Sequence, residues 1–127
     1  MSLLDRSRPV MIDGEKYDLL LTTNAAAELS EKVGGLENVE TAFDTMTEKE
    51  SFEMMTWLVA LLANQGTAAR KLLDPSFERL NLTAERVGLL VSPFELIDMK
   101  DTIIDAIGAG FSKNVSMEND EKNLTAG

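Results

Sequence analysis

The sequence predicts a mainly α-helical (α+β) domain, in which a small N-terminal β-hairpin joins a compact bundle of four to five short helices. Asp13-Gly14 lies between two short apolar runs, as in a tight two-residue hairpin turn. Residues 47–50 and 92–95 both have the Ser/Thr-x-x-Glu spacing of a helix capping box, and each precedes an apolar run with helical periodicity. A length of 127 residues suits a single domain.

The hairpin is expected to lead directly into the first helix. Its strands are predicted at residues 10–12 and 17–21, because Asp-Gly readily supplies the positive φ angles that the turn needs. Thr22, Thr23 and Asn24 offer side-chain oxygens to the first free N–H groups of a helix. We expect the helix to continue to residue 33 and to close at Gly34 in the left-handed conformation.

Two further helices are predicted in the middle of the chain. Residues 36–46 are expected to form a short helix, since Leu36, Val39 and Phe43 recur at spacings of three and four. The next helix is predicted to begin after Thr47 and to end near Gly66. Between residues 54 and 62 it is apolar around most of its circumference, so we expect it to be central to the fold or partly covered by another chain.

The C-terminal third is predicted to contain a short helix and a longer one. Residues 66–80 give a weak signal of one or two helical turns, interrupted by Pro75. Thr83 is expected to cap a helix over residues 84–90. Ser92 and Pro93 open the last helix, which is predicted to end at Gly108 and Gly110. Its apolar stripe comprises Leu96, Ile97, Ile103, Ile104 and Ile107.

These elements predict a single domain over residues 9–111. Residues 1–8 are expected to be a flexible N-terminus. Residues 112–127 are polar and are expected to form a disordered tail.

Composition argues against several classes of function. The chain has no cysteine and no histidine, which removes disulfides, zinc–thiolate sites and the commonest general base. A net charge of −10 argues against nucleic acid as a partner. No apolar run approaches the roughly 20 residues that span a bilayer, so no membrane partner is expected. The N-terminus lacks the apolar segment of a signal peptide, and we therefore expect a cytoplasmic location.

No motif predicts catalysis or a bound cofactor. Asp98, Asp101 and Asp105 share a helix face and could approach a hard cation, but such a row is usually solvated, so no metal is expected. Gly34-Gly35 lacks the lysine and threonine of a phosphate-binding loop. A serine nucleophile would have no histidine as its base. The sequence therefore predicts a protein that is not an enzyme.

The acidic residues are concentrated in the first half of the chain. Residues 13–50 contain ten Asp or Glu residues and three lysines. The simpler interpretation is a solvated surface that favours solubility. The alternative is a docking face for a basic partner.

Apolar side chains of the third helix are the candidate partner-binding residues. Core packing is the first interpretation for its methionines and for Trp57, but methionine and tryptophan are also frequent at adaptable binding surfaces. The candidates are Met54, Met55, Trp57, Leu58, Leu61 and Leu62.

Taken together, these segments resemble the tail assembly chaperones of long-tailed phages and prophages, particularly those of Gram-positive hosts. The resemblance covers roughly residues 8–110. It rests on patterns spread along the chain, not on a catalytic signature. The matching segments are residues 17–24, 28–29, 33–36, 57–66, 82–85 and 91–96.

The resemblance implies a non-enzymatic role in virion assembly. Proteins of this family bind the tape-measure protein, help to recruit tail-tube subunits and are absent from the mature virion. Self-association is a further expectation. Many members are also made as a longer product by a −1 ribosomal frameshift, and this chain would be the shorter product. The alternatives are a structural phage component such as a head–tail adaptor, or a small acidic regulatory or inhibitor protein.

Overall fold

A computed structural model of the protein describes residues 3–111 and confirms the predicted fold class. In this part of the chain, five α-helices follow a two-stranded antiparallel hairpin. The tail predicted for residues 112–127 lies outside the described residues. The elements are β1 (Arg8–Ile12), β2 (Glu15–Leu19), α1 (Thr23–Val33), α2 (Val39–Ala42), α3 (Glu48–Leu73), α4 (Ala84–Leu90) and α5 (Pro93–Gly110).

The hairpin turn forms where the sequence predicts it. Asp13 and Gly14 both have positive φ, at 53° and 78°, which is the pattern of a type I′ turn. The turn pairs Ile12 with Glu15 and fixes the register of both strands. The last three residues of β2 are all buried, so this strand is covered on both faces.

Helix α3 is the central element of the domain. Ten of its 26 residues are buried, and it packs against β2, α1, α4 and α5. Its N-terminus has the predicted capping box, in which Thr47 and Glu50 each accept a backbone N–H of the other. The structure therefore explains the apolar circumference of α3 by its central position in the fold.

The prediction that this helix ends near Gly66 is wrong, since α3 continues to Leu73. Gly66 lies where the helix crosses β2, and a Cβ atom at this position would be 1.8 Å from the carbonyl oxygen of Asp18. Next to this crossing, the N–H of Leu20 donates to the carbonyl of Leu62 at 3.1 Å. The glycine therefore permits close approach of two backbones and does not terminate the helix.

The helix predicted over residues 36–46 is broken into three short pieces. Turns of 3-10 helix at Leu36–Asn38 and Phe43–Thr45 flank the four residues of α2. Asn38 has ψ near 0°, outside regular helical geometry, and its side chain donates to the carbonyls of Val33 and Gly34. The segment therefore begins with a side chain that hydrogen-bonds the free carbonyl groups at the end of α1, and it does not continue as a regular helix.

The last two helices follow the prediction closely. Thr83 caps α4, and Ser92 and Glu95 form the capping box of α5, with Pro93 at its first position. Along the predicted apolar stripe of α5, only Ile97 is largely exposed, at 48% of its surface. The buried members are Leu96, Ile103 and Ile107, and Ile104 is partly buried against them.

The N-terminal segment that we expected to be flexible contains a 3-10 turn at Leu3–Arg6. This turn contacts α3 and α5. The guanidinium of Arg6 donates to the carbonyl of Gly110 at 3.4 Å, next to the C-terminus of α5, where a positive charge is favourable.

We expect the substitution Gly66→Ala to lower the free energy of unfolding by more than about 3 kcal/mol, because the added methyl group meets a backbone carbonyl that cannot rotate away. Gly88→Ala in α4 is the matched control, since a Cβ there meets only a methyl group of Thr56 at 3.9 Å. The free energy of unfolding of this control should rise by up to about 1 kcal/mol, because alanine has a higher helix propensity than glycine. Urea unfolding followed by circular dichroism measures both, and equal effects would contradict the close-approach role of Gly66.

The capping box of α5 gives a pH-dependent prediction. The backbone N–H and hydroxyl of Ser92 donate to the carboxylate of Glu95 and hold its pKa below the ordinary glutamate value. The resulting stabilisation is present above the unfolded-state pKa and is lost as the pH falls through the lower folded-state pKa. NMR titration should place the Glu95 midpoint below the ordinary value in the wild type and raise it only part of the way in Ser92→Ala, which removes the hydroxyl but keeps the backbone N–H.

Candidate functional site

The six residues predicted to bind a partner lie mainly inside the core. Met54, Met55, Leu58 and Leu62 are buried, with exposures between 0% and 8%. Trp57 and Leu61 are partly buried and pack against the same core. Partner binding by these six stays a prediction, and four of them could contact another protein only if the core opened.

Trp57 is the member of this set with the clearest surface contact. The ammonium group of Lys32 in α1 lies over its ring, 4.9 Å from the ring centroid. This cation–π contact joins α1 to α3 at the edge of the core. The ring is therefore partly covered by the protein's own side chains.

An open groove with an apolar floor lies between residues 36–44 and the C-terminal half of α5. We call it the α2–α5 groove. It consists of two adjoining depressions of about 290 and 470 Å³, which share Glu40 and Ile104 as lining residues. The apolar positions of its floor are Leu36, Val39, Phe43, Ile104, Ile107, Gly108 and Phe111.

Helix periodicity and one glycine shape this floor. Residues 100, 104, 107 and 111 are spaced by four, three and four, so they follow one face of α5 and its end. Phe111 keeps 55% of its surface exposed at one end of the groove. Gly108 lies between the larger residues, and a Cβ atom added there would meet nothing within 4 Å. The missing side chain therefore leaves part of the floor open.

Carboxylates surround the floor on both sides. Glu37, Glu40 and Asp44 lie on the α2 side, and Asp101 and Asp105 lie on the α5 side. All five are exposed. The groove has a strongly negative rim that remains hydrated while nothing is bound.

Two cations moderate this negative charge. The ammonium of Lys100 lies 4.8 Å from the ring centroid of Phe43, across the groove. Arg8 in β1 approaches Asp105 at 3.8 Å, but the side chain of Asp105 is 76% exposed, so this ion pair is weak. The five carboxylates still outnumber these two cations.

A partly buried ion pair with a structural role joins β2 to α3. Asp18 in β2 is 5% exposed, and its carboxylate accepts from the Nε of Arg70 at 2.6 Å. Thr22 and Gln65 are joined by a side-chain hydrogen bond one helical turn away. These contacts lie beside Gly66 and hold the hairpin on α3.

The resolved pKa shifts have local causes. A hydrogen bond from Lys49 to Glu53 raises the pKa of Lys49, and hydrogen bonds from Ser76 lower the pKa of Asp74. Both side chains lie at the surface. Within residues 3–111, no group of three or more carboxylates is placed to hold a metal ion.

Sequence reasoning found part of the groove and missed the rest. The alternative of an acidic docking face included Glu37, Glu40 and Asp44. Asp101 and Asp105 were assigned to a solvated row, and the fold places them opposite those residues. The available signal was the apolar spacing of Ile104, Ile107 and Phe111 beside that row, which continues the apolar face of α5 to Phe111 at its exposed end.

Comparisons with known proteins add no family assignment. No protein-family model matches the chain, and no curated protein or solved structure gives a significant match. Among the helices of residues 3–111, none combines the length and apolar character needed to cross a membrane. The resemblance to phage tail assembly chaperones therefore stays a prediction.

We expect Trp57→Ala to lower the free energy of unfolding by about 2–3 kcal/mol, which is less than the roughly 3–5 kcal/mol for a fully buried tryptophan. Phe94→Ala is the control, since Phe94 is 80% exposed and its removal should change stability by less than about 0.5 kcal/mol. Thermal melting measures both. If Trp57→Ala melts like the wild type but loses binding to a partner, Trp57 belongs to an interface instead.

Proposed function

We propose that the protein is a non-enzymatic phage tail assembly chaperone. It binds the tape-measure protein in the cytoplasm of the bacterial host, helps to recruit tail-tube subunits and is absent from the mature virion. The observation that favours this role is the α2–α5 groove, an open groove with an apolar floor on a small acidic domain.

An open apolar groove suits a protein that binds a helical client. A tape-measure protein is long and helical and exposes apolar stripes until the tail has assembled. Such stripes aggregate in water, and covering them with an apolar groove removes that surface from solvent. The net charge of −10 favours solubility of the resulting complex.

Further exposed apolar side chains lie outside the groove. Leu72 and Leu73 are exposed at the end of α3, and Leu89 and Phe94 are exposed on either side of the junction between α4 and α5. Large apolar side chains at the surface are candidate contacts for a second partner or for self-association. They allow a chaperone to contact a tail-tube subunit while the groove holds the tape-measure protein.

The acidic rim also favours a second candidate function. A small regulatory or inhibitor protein could use the same rim to bind a basic target. The position of the gene distinguishes the chaperone from a structural phage component such as a head–tail adaptor. A tail assembly chaperone is encoded between the tail-tube and tape-measure genes, and a head–tail adaptor lies near the portal gene.

The test is co-expression with the cognate tape-measure protein. We expect the tape-measure protein to become soluble and to co-purify. Calorimetry should give a negative heat-capacity change from apolar burial and an affinity that falls moderately with added salt. An unrelated acidic protein of similar size is the control for solubility. Recovery of no tape-measure protein at either low or high salt would overturn the proposal.

A further inference from the structure

We propose that the α2–α5 groove binds a single basic amphipathic α-helix of the protein's partner. The apolar face of that helix lies on the floor of the groove, and its lysine or arginine side chains lie against the carboxylates of the rim. The inference rests on the proposed function and deepens it, because it states which class of segment the protein selects.

The shape of the groove fits one helix. Its α5 wall extends from residue 100 to residue 111, which corresponds to about 16 Å, or three helical turns. An amphipathic helix that lies in a groove contacts it through residues spaced by three and four. Gly108 leaves open space near Phe111, where a large apolar side chain of the ligand can enter.

The charge around the groove selects a basic ligand. Its lining includes five carboxylates and only Lys100 as a cation. Two other depressions have more balanced charge. One near the end of α3 is lined by Lys71, Glu78 and Arg79, and another combines Glu15 and Glu78 with Arg79 and Arg86. A third and larger depression, between α1, α2 and α3, has Glu50 and Glu53 with Lys32. The negative charge is therefore greatest around the α2–α5 groove, and it is complementary to lysine and arginine.

The same charge disfavours a second copy of the chain in the groove. Each copy has a net charge of −10, so such a dimer would bring acidic surface against the acidic rim. The lysines of this chain are few, and Lys100 is already directed at Phe43. A basic segment of another protein meets no such repulsion.

Binding of designed peptides to the full chain tests the inference. The probe is a fluorescent 18-residue helix with leucine on one face and lysine on the other, and its control has glutamate in place of lysine. We expect the lysine peptide to bind at least tenfold more tightly, as measured by fluorescence anisotropy at physiological salt. Equal affinity for the two peptides would overturn the inference.

Matched variants locate the binding site. Glu40→Lys on the rim and Phe111→Ala on the floor should each lower the affinity for the lysine peptide at least tenfold. Glu28→Lys reverses a charge and Leu80→Ala removes an apolar side chain at exposed positions outside the groove, and each should change affinity less than twofold. Equal losses in the groove variants and their controls would show non-specific attraction to an acidic surface and would overturn the inference.

Gly108 allows the groove to be blocked without disturbing the core. Because a Cβ there meets nothing within 4 Å, Gly108→Ala and Gly108→Trp should both fold. Only the tryptophan variant should fail to bind the lysine peptide. Retained binding in a folded Gly108→Trp protein would overturn the inference. A concentration-dependent dimer that only the groove variants abolish would also overturn the inference. Peptide binding that appears only after removal of residues 112–127 would overturn it as well.

The tape-measure co-purification separates this inference from the proposed function. If the wild type and Gly108→Trp recover the tape-measure protein equally well, the chaperone function stands and the groove assignment fails. If the wild type binds the lysine peptide in the groove but recovers no tape-measure protein, the groove assignment stands and the chaperone function fails.

Discussion

The fold depends on the close contact between β2 and α3 at Gly66. Two backbones approach there to a distance that no side chain would permit. Two polar interactions lie next to this contact: the backbone hydrogen bond between Leu20 and Leu62, and the ion pair between Asp18 and Arg70. Because α3 also packs against α1, α4 and α5, the position of the hairpin on this helix determines where the rest of the domain can lie.

A similar close approach places the end of α5. A Cβ atom at Gly110 would be 2.4 Å from the Cβ of Leu21, which directly follows the hairpin. Helix α5 also contacts β1. Phe111 and the neighbouring floor of the α2–α5 groove are therefore positioned by the hairpin, although the hairpin itself contributes no residue to the groove lining.

Local signals predicted most elements, and tertiary contacts explain the errors. The Asp13-Gly14 turn and the caps at Thr83 and Ser92 depend on neighbouring residues in the chain, so the sequence contains what is needed to locate them. Neighbouring residues do not reveal the role of Gly66. A glycine that ends a helix and a glycine that lets a strand approach a helix look the same in the sequence, and only the packed strand distinguishes them. The groove was missed for the same reason, since its walls come from segments about 60 residues apart.

The structure separates the residues that stabilise the domain from those available to bind. The apolar residues of α3 that the sequence suggests as partner contacts are mostly covered by β2, α4 and α5. The apolar floor of the α2–α5 groove lies instead on α5 and on the short helical pieces after α1, in which only Val39 is buried. Those pieces pack on the core through Val39 and Phe43 and are joined to the end of α1 at Asn38, and none of their residues takes part in the contact at Gly66. The groove that we propose as a helix-binding site is therefore separate from the contact that fixes the fold.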